Sequence, residues 1–363
     1  MTVVAEREHE AAERAGYAPL KERVRARGGL TTRGLGLVAA VAALAAVAAL
    51  SIAVGTKSIP LGTVLDALDG RASLPERAQD VQFIVELRIP RTLLGLVAGI
   101  ALGLGGALLQ ALTRNPLAES GILGLDAGAA AAVVIAIQVF GIGSLTGYIW
   151  FAFAGAAGAF TVVYLLGSRG RSGASPERLA LAGAAVDAAL FAVVYAIALL
   201  DSSTFDRYRL WMVGNLATGD LSVLYGVLPF VTAGVLLALA LGPSLNAIAL
   251  GEDSARALGA NLNRTRVLSA VAITLLCGAA TAAVGPIAFV GLAVPHIART
   301  IVGPDQRWLL PYSLVLAPIL LLLADVAGRL LARPGELQAG IVTAFLGAPV
   351  FLAIILRRRI VPL

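Results

Sequence analysis

Hydrophobic positions in this chain fall into long blocks broken by short polar intervals, with no two-residue alternation running through them. Blocks of about 20 residues are what an α-helix needs to cross the hydrocarbon core of a bilayer. Ten stand out: 35–55, 92–112, 120–141, 147–167, 179–200, 221–241, 267–285, 286–302, 309–331 and 339–356. They predict an all-α, polytopic membrane protein of about ten transmembrane helices, with both termini on one side. A membrane barrel would need alternating segments of about ten residues, and the pattern excludes it. The division between the seventh and eighth helices rests on Gly285-Pro286, because proline suits a helix start and not its interior.

The polar intervals carry local signals of their own. Residues 56–91 are too long and too charged for a bare turn, and "LGTVLDALDG" within them reads as a short surface helix. The interval 242–266, "GPSLNAIALGEDSARALGANLNRTR", is divided by Gly251 and Gly259 into two short helix-like pieces. Leu245 with Ile248, and Ala255 with Leu258, fall at helical spacing, while Glu252 and Asp253 sit where a helix N-terminus favours acids. Such pieces need cover for their apolar sides, from the bilayer or from another subunit. Between the second and third blocks lies "GALLQALTRNPLAESGILG", in which Asn115 and Pro116 suit a turn. Gln110 and Arg114 are placed there to bond helix carbonyls. On the second block Gly95, Gly99 and Gly103 recur every fourth residue, a smooth stripe that lets another helix approach closely.

Composition agrees with this picture. Of 363 residues 58% are hydrophobic and 14% charged, about half the charge of an ordinary globular domain. The only lysines are Lys21 and Lys57, and the one cysteine, Cys277, excludes an intrachain disulfide and reads as a small core hydrophobe. With the N-terminus inside, the inner segments hold 19 of the 28 Lys and Arg residues and the outer ones nine, which favours both termini in the cytoplasm. Residues 1–34 read as a cytoplasmic tail, 35–358 as the membrane domain with its loop at about 242–266, and 359–363 as a cytoplasmic end.

Candidate chemistry is sparse. A phosphate-binding loop needs Gly, four residues, then Gly-Lys-Ser/Thr, and neither lysine lies in that setting. ATP, if it drives this protein, is hydrolysed on another chain. An ion-coupled carrier would keep ionisable groups in its spans. Asp126, Asp187 and Asp325, taken as isolated aspartates without basic partners, read as structural, with Asp126 favouring the start of the third helix. His296 and Arg299 lie near a helix end with no metal-ligand spacing around them. A membrane-embedded enzyme lacks a nucleophile–base pair.

The stretch "LRIPRTLLGLVAGIALGLGGALLQALTRNPLAESGILGLDAGA" resembles the signature of FecCD-type permeases, the membrane subunits of ABC importers for iron-siderophores, haem and cobalamin. "LGEDSARALG", "GPIAFVGLAVPHIARTIVGPDQRWLLP", "LLADVAGRLL" and "GIVTAFLGAPVFL" match further blocks in order, and together they cover roughly 35–358. One departure is Glu336-Leu337-Gln338-Ala339-Gly340, where the family carries a proline before the last span. The resemblance implies a type II ABC importer permease in the bacterial plasma membrane, with no cofactor or metal bound by this chain and no enzymatic activity of its own. It implies a second permease subunit, identical or paralogous, two cytoplasmic ATPases that bind ATP and Mg, and an extracytoplasmic binding protein. Arg88, Arg91 and Arg329 match arginines that receive the binding protein. Leu250, Gly251, Glu252, Ala255, Leu258 and Gly259 match the coupling segment at the ATPase. Gln110, Arg114, Asn115 and Pro116 form the cytoplasmic elbow, and the fifth helix, about 179–200, is a wall of the substrate path. The expected cargo is a ferric siderophore, with cobalamin, haem and a secondary transporter as alternatives.

Overall fold

The computed structural model describes residues 29–69, 78–168, 176–217 and 220–356. Most of the predicted tail, the end 359–363 and the short interval 169–175 lie outside the described residues. Every regular element among the described residues is a helix: α1 (Leu30–Ala53), α2 (Leu61–Leu68), α3 (Ala78–Thr113), α4 (Leu125–Phe140), α5 (Leu145–Ser168), α6 (Pro176–Leu200), α7 (Ser202–Met212), α8 (Leu221–Ala249), α9 (Glu252–Ala257), α10 (Leu262–Val284), α11 (Val290–Val302), α12 (Gln306–Leu331) and α13 (Ala339–Leu356). Seven of these are long and apolar enough to cross a membrane, and α4, α11 and α13 are shorter apolar helices. The ten predicted blocks are therefore ten helices, three of them short.

At the centre lies α3, buried over most of its length. Its glycine stripe meets α12: a methyl on Gly99 would strike the Pro318 backbone, one on Gly103 would strike Ala317, and one on Gly95 would lie 2.7 Å from Leu322. Lipid tails are as apolar as leucine, so close backbone packing takes over the holding role that hydrophobic burial has in water. Cys277, buried in a π-helical turn of α10, packs against Gly105 as a small core side chain. By contrast α1, α6 and α13 present most of their apolar surface outward, with Leu181, Leu199, Leu200 and Phe345 all more than 70% exposed.

The division after α10 does fall at Gly285-Pro286, but α11 begins four residues beyond the proline. Residues 285–289 form a non-helical break, with φ of +77° at Gly285 and +68° at Phe289. A side chain at Gly285 would also strike the Trp211 carbonyl, so glycine is required there. Proline alone is a poor guide: Pro229, Pro243, Pro295, Pro311, Pro318 and Pro349 all lie inside helices. Inside a membrane bundle, neighbouring groups satisfy the carbonyls that proline frees.

Three further boundaries differ from the sequence reading. The piece 242–249 is the continuous end of α8, not a separate short helix. Helix α3 starts at Ala78, ahead of the predicted block, and passes through a π turn at Ile84–Arg88. Helix α7 was not anticipated. Asp201 caps it, its carboxylate accepting from the amides of Ser203 and Thr204 at 3.1 and 3.2 Å.

Candidate functional site

The bundle has two chemically distinct ends. One, the arginine end, gathers the C-terminus of α1, the start of α3, the end of α12 and the link to α13. Ser51, Ile52, Ala53 and Val54 close α1, whose last turn carries no basic residue of its own. Arginines from elsewhere bond the carbonyls there. Arg88 Nη1 donates to Ile52 and Ala53 oxygens at 3.0 and 2.7 Å, and its Nη2 to Lys57 at 2.6 Å. Arg329 Nη1 donates to Ser51 and Val54 oxygens at 2.9 and 2.8 Å, and Arg333 to Gly55 at 2.6 Å. Cations are favoured at a helix C-terminus because its unpaired carbonyls carry partial negative charge.

Asp325 completes this cluster. It is fully buried, bonded on one side by Arg91 Nε and Nη2 at 3.1 and 2.8 Å and on the other by Arg329 Nη2 at 3.0 Å. This aspartate, expected to stand without a basic partner, has two: Arg329, one turn along α12 itself, and Arg91 on α3, which runs beside it. Arg91 also donates through Nη1 to Glu336 at 2.6 Å. Arg88, Arg91 and Arg329 are only 3%, 7% and 2% exposed, so they are not the loose surface cations their position before and after predicted spans suggested. They sit within α3 and α12, whose internal partners carry the helices past the hydropathy windows. Beside them opens a cavity of about 260 Å³, lined by Arg88, Arg91, Arg329, Glu336, Phe83 and Gly55 among others.

The opposite end carries the elbow and the loop around α9. At the elbow Arg114 takes a left-handed backbone (φ +50°) that ends α3, and the Asn115 amide bonds back to the Gln110 carbonyl at 3.1 Å. Asn115 Oδ1 accepts from the Leu117 amide at 3.0 Å, across Pro116. Gln110 is fully buried. Its Nε2 donates to the Leu292 carbonyl at 3.2 Å and its Oε1 accepts from Arg299 Nη2 at 3.1 Å. Glu119 accepts from the Phe289 amide, at the non-helical break before α11. The elbow thus fastens α3 to α11, and Arg299 and Glu119 are members that motif reading left out of it. Only their shared polarity within an apolar neighbourhood signals them. Deeper in the bundle Asp126, in the first turn of α4, accepts from Thr281 Oγ1 at 2.9 Å.

Around α9, Gly251 (φ +102°) and Gly259 (φ +81°) reverse the chain on either side of the helix that Glu252 begins. Ala255 is fully buried with Ile248 and Leu262. Leu250 and Leu258, in contrast, are 66% and 67% exposed. The two apolar residues that the sequence paired as one face, Ala255 and Leu258, point to opposite fates. Ala255 closes the turn, and Leu258 stands in the open with Leu250.

Residues 43–357 match the FecCD transport family. The chain is 45% identical to the ferric enterobactin transport system permease protein FepD of Escherichia coli (strain K12), over 90% of this chain and 96% of that protein. It is 36% identical to the hemin transport system permease protein HmuU of Yersinia pestis, over 76% of this chain and 83% of that protein. Among solved structures it is similar to one described as a metal-chelate type ABC transporter in an inward-facing conformation. That match has a TM-score of 0.76 and 27% identity, covering 89% of this chain and 99% of that one.

Proposed function

We propose that this chain, which belongs to the FecCD transport family of ABC importer permeases, carries ferric siderophores across the inner membrane of a bacterium. The observation that favours this cargo is the 45% identity, nearly end to end, with a ferric enterobactin permease. A haem permease is related at 36% over a shorter span, which makes haem the rival cargo, with cobalamin behind it.

In this reading the chain works beside a second permease subunit, two cytoplasmic ATPases that bind ATP and Mg, and an extracytoplasmic binding protein. The termini lie in the cytoplasm, so the arginine end faces outward and the α9 end inward. Arg88, Arg91 and Arg329 give the outer face a positive cavity suited to carboxylates of the binding protein. Charge of this kind speeds and orients encounter more than it adds affinity. Leu250 and Leu258, apolar and uncovered, suit a cleft on the ATPase, with Gly251 and Gly259 setting the turn that presents them. The outward apolar surface of α6 suits the second permease and the substrate path between the two.

Uptake tests the cargo. Cells lacking their own permease, supplied with this chain, its ATPase and its binding protein, are expected to accumulate radioiron given as ferric siderophore. Accumulation of haem or cobalamin in its place overturns the siderophore reading.

A further inference from the structure

The arginine cluster pairs with two carboxylates that are not equivalent, and only Glu336 lines the cavity. Asp325 has no exposure, and its oxygens are shared between Arg91 and Arg329. Glu336 keeps 35% of its side chain exposed and rests on Arg91 Nη1 alone, at 2.6 Å. It belongs to the short link between α12 and α13. Just beyond it the link is fastened by backbone bonds, from the Leu337 amide to Gly328 at 3.2 Å and from the Gly340 amide to Gly214 at 3.1 Å. The guanidinium groups of Arg88, Arg91, Arg329 and Arg333 outnumber these two carboxylates, so the open volume beside them is net positive.

We propose that Glu336 is a displaceable internal counter-ion, holding on Arg91 the place that a carboxylate of the docking binding protein takes. The inference rests on the docking reading given above. Arg91 divides its work by edge. The Nε–Nη2 edge is committed to buried Asp325 in a two-point grip, and Nη1 is left for a partner that reaches in from the water. Exchanging one carboxylate for another keeps the guanidinium paired throughout, so neither state leaves a buried charge bare. Docking by exchange is therefore close to balanced, which suits a partner that must deliver its cargo and leave. Departure of Glu336 also loosens the link ahead of α13. The Gly214 segment to which that link is tied is bonded in turn to Val284, through the Asn215 amide at 2.7 Å, at the head of the break before α11.

The test uses the complete importer in lipid nanodiscs, with the soluble binding protein of the same system as the probe and surface plasmon resonance as the readout. Wild-type association is expected to weaken steeply with salt. E336Q, folded as judged by an unchanged melting temperature, is expected to bind roughly fivefold more tightly, the factor that about 1 kcal/mol of exposed pairing represents. E336D, which restores the competing charge, is expected to return affinity toward wild type. Salt-dependent binding that E336Q leaves unchanged or weakens overturns the counter-ion role and keeps the docking site. Wild-type binding that ignores salt removes the docking reading, and the counter-ion falls with it.

Discussion

The two ends of this bundle solve opposite problems. At the arginine end, charges that would be costly in a membrane are answered from within the chain: Asp325 by Arg91 and Arg329, and the α1 carbonyls by Arg88, Arg329 and Arg333. At the α9 end the chain leaves Leu250 and Leu258 about two-thirds exposed and folds only a small cluster of Ile248, Ala255 and Leu262 beneath them. The first end pairs its carboxylates within the chain, Glu336 being the one that stays partly exposed. The second end leaves its leucines in the open. Substitutions should therefore cost the fold at one end and cost communication with a partner at the other.

The sharpest break is at Asp325. Its replacement by alanine leaves two buried guanidinium groups without their shared counter-charge, a loss of about 3–5 kcal/mol for a broken buried pair. Thermal unfolding in detergent is expected to show a large drop in melting temperature and poor recovery from the membrane. A D325A protein as stable as wild type would mean that water or the α1 carbonyls already carry those charges.

A smaller effect is expected at α9, where the two kinds of apolar residue separate. A255D buries a carboxylate with no partner and should cost about 1–3 kcal/mol, seen as faster amide exchange through residues 248–262. The pair L250D and L258D changes exposed positions and should stay within about 0.5 kcal/mol each. In the assembled importer that pair is expected to abolish uptake while ATP hydrolysis continues. Normal uptake in it would place the ATPase contact elsewhere.

The smallest effect is the pH response of α7, at the arginine end. Hydrogen bonds from Thr204 and Ser203 hold the Asp201 carboxyl below the usual carboxylate range. A carboxyl lowered on folding contributes stability above its unfolded value of about 3.9, and that contribution is lost as pH falls through the folded value. Amide protection of Ser203 and Thr204 should decline in acid in the wild type. D201N keeps the capping oxygen without the charge, so its protection should be flat across the same range.

The sequence revealed most where one physical demand dominates. Crossing a bilayer needs long apolar blocks, so the ten helices could be read directly. The stripe at Gly95, Gly99 and Gly103 likewise announced the approach of a helix, which is α12. Partnership across the bundle was hidden, because nothing in the local sequence tells Asp325 that Arg91 stands 234 positions away along the chain. The same blindness made Arg88 and Arg329 look like surface charges and left Arg299 and Glu119 out of the elbow. Helix α7 was missed for another reason. Its Asp201-Ser202-Ser203-Thr204 start is a capping signal that an amphipathic stretch after a long apolar block overshadowed.

The moorings of α1 carry a further consequence. This helix touches the bundle with little of its surface, yet Arg88, Arg329 and Arg333 grip one end and Tyr312 bonds the Arg33 carbonyl at the other, at 2.8 Å. A loosely packed span would slide or tilt to suit the thickness of its membrane. With both ends tied to groups on α3 and α12, α1 keeps the depth and slant the bundle sets. In a thinner or thicker bilayer, it is the lipid around α1 that must stretch or thin.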